Sequence, residues 1–169
     1  SVPAGTTVYD AARQAGIDIP VLCHSPKLAP VGVCRLCVVD VGGRVLAASC
    51  VRPCEEGMRV ETNTPRVEKQ RKMLTALLLA DHPVPCAKER TTGDDELDAL
   101  GRRYGLLGNG SAANPFPRGP ARPNDASSPV IAVDHAACIL CDRCVRACDD
   151  VQVNEVIGRT GKGYATRVG

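Results

Sequence analysis

Large aromatic side chains are almost missing from this chain: its 169 residues hold one Phe, three Tyr and no Trp. That scarcity excludes a large core built on aromatic packing. A small unit then needs another staple, and below roughly 70–80 residues a bound metal is a common one. Long apolar runs are missing too. LTALLLA, residues 74–80, is seven residues long, far from the roughly 20 of a membrane span, and no secretory signal pattern is present. Neither sign of charge dominates. Lys and Arg number 21 against 19 Asp and Glu, a net charge of +2. The two signs are interspersed, without the basic stripe and interleaved aromatics of a nucleic-acid face. A nucleotide-binding fingerprint, a phosphate loop and a Ser/His/Asp arrangement are also lacking, so no catalytic residue is assigned.

What the chain does have is cysteine: ten of them. C-x2-C pairs are too close for an ordinary cross-linked framework, so metal ligation in a reducing compartment is the better reading than disulfides. That points to a cytoplasmic setting. The first set is Cys23, Cys34, Cys37 and Cys50, within CHSPKLAPVGVCRLCVVDVGGRVLAASC. Four thiolates at C-x10-C-x2-C-x12-C suit an iron–sulfur cluster; a structural zinc ion is the rival, though such sites usually show two close pairs. Cys54 falls outside the pattern. Its bland reading is a free thiol, its sharper one an exchange ligand for Cys50. The last set is Cys138, Cys141, Cys144 and Cys148, in CILCDRCVRAC. C-x2-C-x2-C-x3-C is the bacterial ferredoxin run. The residue after it is Asp149, where Pro is usual.

Around these sets the sequence predicts short elements. Thr7 is a candidate N-cap for a helix over VYDAARQAG, with Asp10 near its positive end and Gly16 just past its close. Residues 27–32 read as loop, where Gly32 lets backbone N–H groups approach the sulfurs. Residues 35–41 and 44–49 read as a hairpin turning at Gly42-Gly43, and residues 58–62 as the last strand. Thr64-Pro65 opens a long helix, with Val67, Leu74, Leu77 and Leu78 as its apolar stripe, ending near Asp81-His82-Pro83. A polar helix follows over roughly residues 93–104. Residues 105–129, rich in Pro, read as a linker or a wrapping arm. A helix beginning at VRACDDVQ is expected to carry Cys148 away from the other three cysteines.

The cysteine motifs, with PVGVCRLCVV and CILCDRCVRACDDVQ around them, resemble the N-terminal iron–sulfur region shared by several redox proteins. These are NAD-linked formate dehydrogenases, the large iron–sulfur subunit of complex I, NAD-reducing hydrogenase diaphorase subunits and [FeFe] hydrogenases. The resemblance implies an α+β fold: a β-grasp [2Fe–2S] ferredoxin-like domain over residues 1–64, lacking its first strand; a helical connector over 65–104; the linker over 105–129; and part of a bacterial [4Fe–4S] ferredoxin-like domain over 130–169. It implies a chain that is a piece of a longer protein. It also implies a middle motif, H-x3-C-x2-C-x5-C, that holds a [4Fe–4S] cluster. Here His82 and Cys86 match, but the other positions are Glu89 and Asp95. Carboxylates replace thiolates poorly at such a cluster, so no cluster is expected; a site for another metal through His82, Cys86 and a carboxylate is the sharper alternative. In the last motif, Cys138, Cys141 and Cys144 would serve one [4Fe–4S] cluster and Cys148 another, whose second cysteine run is not in this chain.

The function this implies is electron transfer within a larger NAD-linked oxidoreductase, with formate dehydrogenase as the first-choice parent and complex I-like or hydrogenase subunits as the alternatives. The expected partners are a molybdopterin or hydrogenase catalytic unit and a flavin/NAD diaphorase subunit. A docking module with a vestigial cluster site is the competing class.

Overall fold

The computed structural model describes residues 1–111, 113–120 and 122–169. The chain divides into two compact units, Ser1–Leu74 and Thr75–Gly169.

In the first unit, helix α1 spans Val8–Gln14. Thr7 caps it as expected: its hydroxyl oxygen accepts from the Asp10 N–H at 3.1 Å and its O–H donates to the Asp10 carboxylate at 2.8 Å. Gly16 follows with φ +73°, the left-handed conformation that ends a helix without a Cβ penalty. The hairpin is present but short. Strand β1, Val38–Val39, pairs antiparallel with β2, Ala47–Ala48, in register Val38 to Ala48 and Val39 to Ala47. Residues 58–62 contribute one antiparallel bridge, Asp40 to Glu61, in place of a full strand. The shortening has a local cause. Arg35 takes φ +59° and Gly32 φ +65°, so the backbone before β1 curls around the cysteines and cannot continue a pleat.

The core of this unit is built from small side chains: Val8, Ala12, Ile19, Val39 and Ala48, together with Cys37 and Cys50. Two of the cysteines are therefore core residues, as the aromatic scarcity requires.

Helix α2 runs Pro65–Asp81. Thr64 caps it, its hydroxyl oxygen accepting from the Val67 N–H at 3.2 Å. Its buried row departs from the expected stripe. Val67, Arg71, Thr75, Ala76 and Leu79 are buried, while Leu77 is exposed. The difference is one of helical phase: the row follows i to i+4 steps from Val67, through Arg71 and Thr75, to Leu79. Arg71 is tolerated inside because it donates to the Val38 carbonyl at 2.8 Å and to Glu68 at 3.1 Å.

In the second unit, α3 (Ala87–Thr91) and α4 (Glu96–Arg103) follow α2. Asp95 caps α4, with Oδ1 accepting from Leu97 and Asp98 N–H, both at 2.9 Å. The Pro-rich segment is tied down at points. Asn114 donates to the Ala76 carbonyl at 2.9 Å, and the Gly119 N–H donates to Asp81 at 2.8 Å. Ala112 and Ala121 of that segment lie outside the described residues. The chain then forms α5, Arg143–Arg146, a π-helical turn Ala147–Val151, and the antiparallel pair β3 (Arg159–Thr160) and β4 (Arg167–Val168). Short helices and short antiparallel pairs make this an α+β chain. Among the described residues no helix is long and apolar enough to cross a membrane.

Candidate metal centres

The first centre is assembled by the loop before β1, by Cys37 leading into it, and by Cys50 just past β2. Cys23, Cys37 and Cys50 are buried and Cys34 is half-buried. All four are free thiols joined in a run of sulfur contacts, Cys34 to Cys23, Cys23 to Cys50 and Cys50 to Cys37. Cys34 and then Cys50 donate hydrogen bonds to Cys23, pulling its pKa down to about 2; those donors are held correspondingly high. A bond from Cys50 brings Cys37 to about 6. Sulfurs that trade protons so closely form one site.

Main-chain donors surround it. The Cys23 N–H points at Cys34 Sγ at 3.4 Å, and the Val33 and Cys34 N–H groups donate to Cys23 Sγ. Gly32 permits this approach, since a Cβ there would sit 3.3 Å from Val51 Cγ2 in a left-handed backbone. N–H groups aimed at sulfur stabilise negative charge and so raise the potential of a bound iron–sulfur group. The chemistry fits four soft anionic ligands in a dry pocket. Fully buried Ser49 lies against Cys37, a neighbour that no spacing rule predicted. Cys54 is half-buried at the edge of the core.

The middle centre is smaller. His82, Cys86 and Asp95 each bring one ligand atom within 4.8 Å of the other two, with His82 Nε2 3.9 Å from Asp95 Oδ1. His82 and Cys86 are buried and Asp95 is half-buried. Cys86 caps α3, its sulfur accepting from the Glu89 N–H at 3.3 Å, and it donates to Asp95 Oδ2 at 3.4 Å. Burial, with Asp95 beside it, pushes the Cys86 thiol up. Glu89 is occupied elsewhere: one oxygen accepts from the Asp95 N–H at 3.1 Å and the other pairs with Arg102 at 2.8 Å. Of the two carboxylates in the motif, then, only Asp95 joins His82 and Cys86. Sequence reasoning missed Asp98, buried behind this group with its carboxyl pKa raised by burial and by Asp95 and Glu89. Polar residues at i and i+3 on a charged helix give no signal of burial.

The last centre lies around α5. Cys144 has Cys141 and Cys138 near it: burial first, and then these two neighbours, raise the Cys144 thiol. Leu140 and Asp142 take positive φ, 56° and 58°, which folds the C-x2-C-x2-C run into a tight loop. Asp142 is held by Arg159 at 2.6 Å, and the same guanidinium donates to the Leu140 carbonyl at 2.8 Å. Cys148 follows α5 in the π-helical turn.

Residues 1–65 match a family model described as 2Fe-2S iron-sulfur cluster binding domain. That places the first unit in a class whose members hold the kind of group its four thiols suit. Wider likeness covers nearly the whole chain. It is 35% identical over 170 residues to the mitochondrial 78 kDa subunit of NADH-ubiquinone oxidoreductase of Candida albicans, covering 100% of this chain and 23% of that protein. It is 37% identical over 176 residues to the NADP-reducing hydrogenase subunit HndD of Solidesulfovibrio fructosivorans, covering 99% of this chain and 29% of that one. Among solved structures, a chain of an NAD+-reducing [NiFe]-hydrogenase in the H2-reduced state superposes with TM-score 0.85 at 36% identity, over 99% of this chain and 69% of that chain. The chain belongs to the same family as that chain of the NAD+-reducing [NiFe]-hydrogenase. It spans only 23% and 29% of the length of these two curated relatives.

Proposed function

We propose that this chain is the electron-relay part of a larger NAD-linked oxidoreductase, with Cys23, Cys34, Cys37 and Cys50 as the ligands of a [2Fe–2S] group. The observation that carries the reading is the convergence of these four thiols in a pocket ringed by backbone N–H groups. A [2Fe–2S] group held there supplies one-electron redox chemistry. The chain's own part is to exclude water through buried Cys23, Cys37 and Cys50, and to tune the potential through its N–H donors. Cys138, Cys141 and Cys144 offer three thiolates to a [4Fe–4S] group, and Cys148 is directed to a second one. His82, Cys86 and two carboxylates do not fit a [4Fe–4S] group, because Glu89 is bound to Arg102 and Asp95 is a hard ligand.

The relatives favour a complex I-like or hydrogenase parent. A formate dehydrogenase would use the same module beside a molybdopterin unit, and in either case a flavin/NAD subunit is the natural electron partner. Anaerobic titration with dithionite tests the function. The expected result is visible absorption that bleaches on one-electron reduction and returns on reoxidation. A reconstituted chain that folds but never acquires such absorption is instead the docking module of the competing class.

A further inference from the structure

We infer that His82, Cys86 and Asp95 form a binding site for a single divalent metal ion of the zinc class. Three features of the second unit lead there. First, the three ligand atoms lie within 4.8 Å of one another: Cys86 Sγ and Asp95 Oδ2 are 3.4 Å apart, and His82 Nε2 is 3.9 Å from Asp95 Oδ1. Tetrahedral zinc with bonds of about 2.0–2.3 Å holds its ligands roughly 3.3–3.6 Å apart, so only small side-chain shifts are needed.

Second, the histidine is set up as a ligand. Its Nδ1 faces the Ala137 carbonyl at 3.2 Å, an acceptor that requires the proton to reside on Nδ1. The Nε2 lone pair is thereby turned toward Cys86 and Asp95, where it is buried without a hydrogen-bond partner. A backbone carbonyl behind a ligating imidazole is a recurrent device for fixing tautomer and orientation.

Third, the surroundings have acceptors in excess. His82 Nε2 and the buried Asp98 Oδ1 have no donor, and the one proton inside the triad, on Cys86, already goes to Asp95. Asp95 Oδ1 caps α4 and lies 3.9 Å from His82 Nε2, which anchors the carboxylate, while Oδ2, facing Cys86, is the oxygen offered to the metal. A cation resolves this arrangement. On binding, Cys86 loses its proton to solvent and its thiolate takes the metal, with no change of oxidation state. Thiolate and carboxylate balance the two positive charges, and a water completes four-coordination. The N, S, O donor set is borderline-soft, which suits zinc and disfavours magnesium or calcium.

The test uses the whole chain reconstituted anaerobically with iron and sulfide, then equilibrated with zinc chloride and freed of excess. Metal analysis, zinc-edge anomalous scattering and X-ray absorption are the readouts. The expected result is a zinc peak between His82 and Asp95 with one sulfur in its shell. Asp95→Asn keeps the capping oxygen, and Cys86→Ser keeps the side-chain size; each should lower the zinc content by one equivalent and leave iron unchanged. Zinc should also raise the melting temperature of the unaltered chain and not of either variant. Zinc content equal in the chain and in Asp95→Asn, a peak elsewhere only, or a four-iron site beside His82 overturns the inference. The dithionite titration of the first centre is independent of these outcomes.

Discussion

At the scale of single residues, the first centre depends on backbone conformation as much as on sulfur. Gly32 sits at φ +65° with Val51 packed against the position a Cβ would take. Gly32→Ala should cost about 1–2 kcal/mol for the left-handed backbone alone, with a further loss as Val51 is displaced. It should also pull the Val33 and Cys34 N–H groups off Cys23, lowering the potential of the bound group; denaturant unfolding and a redox titration measure the two effects. Cysteine spacing made the four thiols legible, and Gly32, between Cys23 and Cys34, made the N–H approach legible. Asp95 was legible only as one of two carboxylates standing where the family pattern has cysteines. Asp98 and the Ala137 carbonyl were not, because a buried carboxylate and a main-chain acceptor leave no periodic trace.

At the scale of elements, caps were read well and lengths and faces less well. Thr7 and Thr64 cap α1 and α2 as their positions suggested, since capping is a local interaction between a side chain and an N–H three residues on. The strands shrank to pairs because Arg35 and Gly32 bend the chain for the cysteines. On α2 the inward row contains Arg71, which no hydrophobic pattern predicts. Arg71→Met fills much of the volume but leaves the Val38 carbonyl without its donor, a loss of about 1–3 kcal/mol, measurable by chemical denaturation. α4 presents the opposite case. Gly101 faces Leu107 and Leu79 so closely that an added Cβ would lie 2.6 Å from Leu107 Cδ1. Gly101→Ala gains about 1 kcal/mol of helix propensity and loses about 1–3 kcal/mol to overpacking. A net destabilisation of about 1 kcal/mol is expected in a thermal or denaturant melt.

At the scale of the whole molecule, each compact unit carries its own cysteine set. Residues 23–50 lie in the first, and His82, Cys86 and residues 138–148 in the second. The boundary between the units falls within α2. The scarcity of aromatics is answered in the first unit by using Cys37 and Cys50 as core, so ligation and folding are expected to be coupled there. The claim on which the account rests is that Cys23, Cys34, Cys37 and Cys50 alone hold the [2Fe–2S] group. Electron paramagnetic resonance of the dithionite-reduced chain tests it most directly. The predicted result is a rhombic signal that persists at temperatures where [4Fe–4S] signals broaden away, absent in Cys34→Ser and unchanged in Cys54→Ser; a signal that survives Cys34→Ser, or one abolished by Cys54→Ser, contradicts the account.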